Sequence, residues 1–297
     1  TLALGLLPLA PHALAAETLR YVALVDGGKQ AGQQVVTRGD DGTTKVDFIF
    51  KDNGRGPELK EEYTLAPDGT YNTYKVQGTS TFGAKIDESF SRDGDTVQWK
   101  STSDAGSQKV QGTALYQPLG GSPAGFSVAF NALSKRADGK LPLIPSGTLT
   151  SRKVGQTQVQ CGAKTRDVQL VAVTGVGLVP TFVWTTTDAN PRLFAFIYPG
   201  FVQLVEDGCQ AVAADLETRQ KQAEGEALVD LARRLGHPLA GTTVIRNARV
   251  FDSEKATLGA ASDVLVKDGK VVSITAASDK PIAADHEIDA NGKVLLP

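Results

Sequence analysis

The 297-residue chain has no methionine, two cysteines, three histidines and two tryptophans, and each scarcity removes a class of function. His12, His237 and His286 stand singly, with no His-x-His or His-x-x-x-His spacing, and one imidazole is too few for a zinc site. Cys161 and Cys209 each lack a second Cys or a His at ligand spacing, which disfavours a metal role for either. Charge of one sign is also missing: 31 basic residues face 33 acidic ones for a net charge of -2, so the chain has no electrostatic footprint for nucleic acid. No apolar run reaches the roughly 20 residues of a membrane-spanning helix. No catalytic, metal-binding or cofactor-binding residue can be named from this inventory, and the chain alone is expected to be inactive.

What is present begins with an apolar opening. Leu2 to Leu9, then Ala13, Leu14 and Ala15 ahead of Glu17, read as the core and small-residue cleavage site of an export signal over residues 1–16, and Pro8 and Pro11 interrupt any helix there. The expected location is therefore periplasmic or secreted. With no initiator Met and no basic segment before Thr1, the sequence is expected to begin inside that signal. In an oxidising compartment Cys161 and Cys209 either close a disulfide or remain two buried thiols that pack as small apolar residues.

Residues 17–208 are dominated by short alternating runs broken by Gly, Asp, Asn and Pro. In one of them Val46, Phe48 and Phe50 share a face while Asp47 and Ile49 take the other, as a half-buried strand requires. The tracts around Asp68-Gly69 and Asp93-Gly94 supply the positive φ of hairpin turns. The expected fold is mainly β: a curled antiparallel meander whose edges are hidden, with surface loops at residues 118–125 and 135–146. Residues 209–240 change period. Val212, Leu216, Ala223, Ala227, Leu228, Leu231 and Leu235 recur at three- and four-residue steps, predicting one or two helices, with a break or kink at Gly225 and an end at Gly236, His237 and Pro238.

Other chemistry-bearing patterns carry little. Gly175 and Gly177 lack the third glycine and the following helix of a nucleotide loop. The pairs Asp40-Asp41 and Glu61-Glu62 are sequential, so in a strand their carboxylates face opposite sides, and they are expected on a solvated surface. His286 lies beside Asp285 and Glu287 in a turn. Phe194, Phe196 and Tyr198 alternate onto one face; core packing is expected there, with a ligand cavity inside a curled sheet as the functional alternative.

Residues 241–297 read as three more strands, with turns at Asp252, Asp268-Gly269 and Asn291-Gly292. The ordered phrases DVLVKDGKVVSI and EIDANGKVLLP resemble the start of the metal-dependent amidohydrolases, in which a small β-sandwich precedes a (β/α)8 barrel. That resemblance implies an exported hydrolase of carbon–nitrogen bonds, acting on a small amide substrate. It implies one or two divalent metal ions, zinc foremost, which activate water in a barrel expected beyond Pro297. The partner expected of residues 241–297 is that missing barrel, and none of the metal would be held by this chain. Two readings stand beside it: a periplasmic β-barrel-like module that binds an apolar ligand or an envelope partner, and an envelope protein that associates through open sheet edges.

Overall fold

The computed structural model describes residues 17–25 and 27–296, so the export-signal reading of residues 1–16, His12 included, lies outside them. Eight strands follow one another as an antiparallel meander: β1 (Glu17–Val25), β2 (Lys29–Arg38), β3 (Thr44–Phe50), β4 (Glu58–Leu65), β5 (Tyr71–Thr79), β6 (Lys85–Asp93), β7 (Thr96–Lys100) and β8 (Ala105–Lys109). Next come β9 (Leu115–Tyr116), α1 (Gly125–Ser134), β10 (Lys140–Ile144), β11 (Thr148–Cys161), β12 (Lys164–Thr174), β13 (Thr181–Thr186), β14 (Leu193–Tyr198) and β15 (Val202–Glu206). β15 pairs with β1, with Tyr21 opposite Glu206, and so joins the two halves into one 15-stranded path from β8 to β9. Those two end strands are joined by residues 110–114 alone, a reach of no more than ~20 Å. The sheet must therefore curl back on itself, with no ladder hydrogen bonds between β8 and β9.

The local causes are those of any meander. In β3, Val46 and Phe50 are buried and Lys45 and Asp47 exposed, so alternation selects the inner face. The β4–β5 turn closes through the Gly69 N–H to Ala66 O bond, and the Asp68 carboxylate accepts the Thr70 N–H. Gly175, at φ +103°, is needed for space as well: a Cβ there would lie 2.0 Å from the Thr148 carbonyl oxygen.

Two cores result, one on each face of the sheet. The inner core packs Tyr71, Tyr74, Phe90 and Tyr116 with the helix residues Val128, Ala129 and Leu133. Helix α1 therefore lies inside the curl. Residues 118–125 and 135–146, expected as surface loops, are corrected here: Ser122 and Ala124 are buried, and the second segment contains β10 with Leu141 and Ile144 fully buried. The outer core covers β11–β15 with a long helix, α2 (Ala213–Leu235), entered through a 3-10 turn at Gln210–Val212. Ala213 and Leu216 cover Trp184, Phe194 and Val205, and the Gln220 side chain donates to the Ile197 carbonyl at 2.9 Å. α2 runs through Gly225 unbroken. Cys161, at the end of β11, is bonded to Cys209 at the entry to α2.

Alternation in β14 is broken where it was expected to continue. A register shift between Trp184 and Thr185 places an extra residue in β14, so Phe194 turns outward beneath α2 while Phe196 packs on the inner core. Tyr198 is exposed. A bulge, which sequence alternation cannot show, splits the aromatic stripe.

The chain divides into two compact units, Thr1–Ala227 and Leu228–Pro297. The second contains β16 (Thr242–Asp252), β17 (Thr257–Lys267), β18 (Lys270–Ala276), β19 (His286–Asp289) and β20 (Val294–Leu295) in a five-stranded sheet, with β19 and β20 parallel to β16. Its one deeply buried carboxylate, Asp263, accepts from Arg246 Nη1 at 2.8 Å and from the Asn247 and Ser278 N–H groups at 3.2 and 3.3 Å. Burial alone would raise its pKa, but those N–H donors and Arg246 more than offset it and hold the carboxyl below the usual range.

Candidate functional site

The residues that shape the interior of the curled sheet start with three polar side chains on strands two apart. Gln34 in β2, Glu61 in β4 and Glu88 in β6 all point to the inner face and are at most 4% exposed. Their partners are backbone N–H groups of the segment that enters α1. Glu88 Oε1 accepts from Leu119 N–H at 3.0 Å and from the Tyr116 hydroxyl at 2.5 Å, and Glu88 Oε2 accepts from Gly120 N–H at 3.0 Å. Glu61 Oε1 accepts from Ser122 N–H, and Gln34 Oε1 from Ala124 N–H at 3.1 Å. A segment without regular structure can run through a protein interior only if its backbone donors are satisfied, and these three side chains do that.

Glu61 and Glu62 do face opposite sides of β4, but the expected solvated surface is correct only for Glu62, which pairs loosely with Lys45. Glu61 is interior. Burial pushes its carboxyl above the usual range, against the lowering effect of the Ser122 N–H. Burial likewise raises the Tyr74 hydroxyl. That hydroxyl lies beside Glu61, where its interaction with the carboxyl works against the burial shift, and its oxygen is closed to solvent.

Helix α1 partitions the interior. On one side Phe126 and Ala129 border a cavity of about 420 Å³, walled also by Phe50, Leu149, Phe196 and Leu204. In its wall Glu61 and Tyr74 are buried, whereas Leu119, Gly121, Val176 and Phe201 are exposed. On the other side Ser127, Asn131 and Lys135 border a wider and more polar space of about 770 Å³, with Arg38, Asp188 and Arg192 at its rim. Ser127 Oγ accepts the Leu193 N–H at 2.9 Å and anchors the helix to β14. Nearby, Tyr21 donates to the Leu193 carbonyl at 2.8 Å, and burial pushes its phenol up to about 12.

The structure does not gather the histidines: His237 is exposed beyond α2, and His286 in β19 contacts the Ala240 carbonyl through Nε2 at 3.0 Å. Gly175 and Gly177 lie in the β12–β13 connection, where Val176 reaches the cavity mouth. Among the described residues no three His, Cys, Asp or Glu side chains group as a metal site would need, and no helix is long and apolar enough to cross a membrane.

No protein-family model matches the chain, and no curated protein matches it. A solved structure similar to it is the crystal structure of a beta-barrel-like protein of the domain of unknown function DUF1849 from Brucella abortus. It is 11% identical, covers 64% of this chain and 95% of its own, and has a TM-score of 0.42. The reading of residues 241–297 as an amidohydrolase fragment, and of the chain as part of a metal-dependent hydrolase, is corrected. No amidohydrolase appears among these findings, and the phrases that suggested one have a local cause. Asp268, Gly269, Asn291 and Gly292 all adopt φ between 49° and 75°, the geometry of tight turns that any sheet can use.

Proposed function

We propose that residues 17–227 form a β-barrel-like binding module that holds an apolar small molecule inside the curled sheet, in an exported setting where the Cys161–Cys209 bridge persists. The observation that carries this reading is the cavity of about 420 Å³ bounded by Phe50, Phe126, Leu149 and Phe196. Ligand sites typically occupy some 300–1,000 Å³ and combine apolar walls with a few placed polar groups. This interior has both, because Glu61, Tyr74, Gln117 and Ser122 share a wall that is mostly hydrocarbon and aromatic. Protein interiors are ordinarily packed to the density of organic crystals, so a void of this size marks space kept open for a guest.

The test uses N-phenyl-1-naphthylamine, an uncharged apolar dye that brightens out of water. The full chain should bind it saturably, and Ala129→Phe, which places a ring in the cavity from α1, should reduce binding at least tenfold while the protein still melts cooperatively. Equal binding by the folded variant, or no saturable binding by the parent, refutes the reading.

A further inference from the structure

The two ends of the curled sheet expose different chemistry in their turns. Antiparallel register puts residues 39–43, 66–70, 94–95, 162–163 and 187–192 at one end. Those turns carry Asp40, Asp41, Asp68, Asp95 and Asp188, no large apolar side chain, and one cation, Arg192, which Glu206 holds at 2.7 Å. Residues 51–57, 80–84, 101–104, 175–180 and 199–201 turn at the opposite end. Three of these turns, 80–84, 175–180 and 199–201, contain no charged residue. Phe82 is 84% exposed there, Leu178 is fully exposed, and Val179 and Phe201 are exposed too. Phe201 is propped by edge-on contacts with Phe50 and Tyr198, ring centres 5.6 and 6.0 Å away, so it has little freedom left to lose when covered. Apolar side chains raised on several turns of one end mark a surface that meets something other than water.

Cations stand next to these tips. A cleft of about 500 Å³ between the turns at 51–57 and 80–84 is bordered by Phe82, Lys51 and Arg55 and, among the described residues, by no acid. The acids of the neighbouring turns have local partners: Asp52 accepts from the Asn53 side chain at 3.5 Å, and Asp104 from the Trp99 indole N–H at 2.9 Å. Apolar tips with unopposed cations beside them complement an anionic lipid surface, whose acyl region takes the first and whose phosphates take the second. Side chains on separate turns also suit a fluid surface, which closes around each tip. The geometry points to docking of this end on an anionic bilayer, with Phe82, Leu178, Val179 and Phe201 in the headgroup–acyl boundary and Lys51 and Arg55 against lipid phosphates. This goes beyond the binding-module reading and stands on the turns alone. Val176 and Phe201 belong also to the exposed part of the cavity wall, so in the docked module that part of the wall faces lipid.

Co-sedimentation with lipid vesicles tests this without the dye. The full chain should bind saturably to phosphatidylcholine vesicles that contain phosphatidylglycerol, and more weakly to phosphatidylcholine alone. Phe82→Ser with Leu178→Ser should lower binding to the anionic vesicles about tenfold or more, because two apolar side chains no longer enter the boundary. Lys51→Gln with Arg55→Gln, which can keep the Lys51 hydrogen bond to the Gly56 carbonyl, should lower it roughly fivefold or more, since one basic side chain near an anionic surface contributes about that factor. Binding to phosphatidylcholine alone should not change in the Gln variant. Both variants should melt as the parent does and, because none of the four residues borders the cavity, keep its dye affinity. No binding of the parent to anionic vesicles, or equal binding by either folded variant, overturns the docking assignment. A parent dimer that Phe82→Ser with Leu178→Ser dissolves, without vesicle binding, reassigns the face to a second copy of the chain. Absence of dye binding overturns the module reading and leaves the docking assignment standing.

Discussion

Glu61 and Glu88 stand on either side of Val76, each directly opposite it across the ladder, and together they hold one continuous stretch of backbone. Glu88 takes the Leu119 and Gly120 N–H groups, and Glu61 the Ser122 N–H. The chain can then turn inward and start a helix inside the sheet. Alternation on β4 and β6 aims both carboxylates inward, and the adjacent strand β5 sets their spacing.

Removing that support should loosen α1. Glu88→Leu leaves the Tyr116 hydroxyl and two N–H groups without an acceptor, and should lower stability by about 2 kcal/mol or more in urea denaturation. Glu88→Gln, which keeps an acceptor, should lose less. Equal stability of the Leu variant and the parent would show that the clamp is dispensable.

Acid and base should act on Glu61 in a defined direction. Its folded pKa is raised by burial, so the native state holds a proton that the unfolded chain has already released. Stability contributed by this group is full below the unfolded value of about 4.3 and is lost as pH rises through the folded pKa. Glu61→Gln, neutral at every pH, should flatten that decline. Thermal melts of both proteins from pH 4 to pH 8 check it: parallel curves contradict the assignment.

Asp263 should respond in the opposite sense. Its folded pKa is lowered, so its contribution is present above the unfolded value near 3.9 and lost as pH falls through the folded one. Asp263→Ala should free the hydrogen exchange of β16–β18 amides, because Arg246 Nη1 and two N–H groups lose their acceptor. Exchange in β1–β15 should stay unchanged. Slow exchange in β16–β18 of the variant would remove Asp263 from this role.

The bond between Cys161 and Cys209 closes a loop with a sequence separation of 48, for which the chain-entropy account gives on the order of 4 kcal/mol. The double variant Cys161→Ala, Cys209→Ala should lower stability by roughly 2–4 kcal/mol, with the first losses in α2, whose entry Cys209 fixes. A midpoint in urea unchanged from the oxidised parent counts against this.

Much of the meander was legible in residue order because its causes are local: two-residue alternation in β3, Asp-Gly turns after β4 and β6, and three- to four-residue periodicity in α2. Helix α1 was missed. Its apolar positions Phe126, Ala129, Phe130 and Leu133 carry a helical spacing, but it has no side-chain cap and no acidic first turn, and the Pro and Gly before it read as an external loop. Glu61 was placed on a wetted face for a related reason: an acid beside an acid, in a strand of charged residues, carries no mark of the distant N–H group that satisfies it. The Phe194 stripe failed through a single inserted residue in the ladder.

Composition and period alone determined that this chain is mainly β, where several of its hairpins turn, and where the long amphipathic helix begins. Only the tertiary structure decided which side of the sheet becomes an interior, that α1 sits within it, and that Tyr74 and Glu61 are buried in the wall of a cavity. The physical reason is separation along the chain. Turns and alternation depend on neighbours a few residues away, whereas a cavity and the desolvation of a carboxylate arise from segments such as β4, residues 119–124 and β14, which meet only after the sheet has curled.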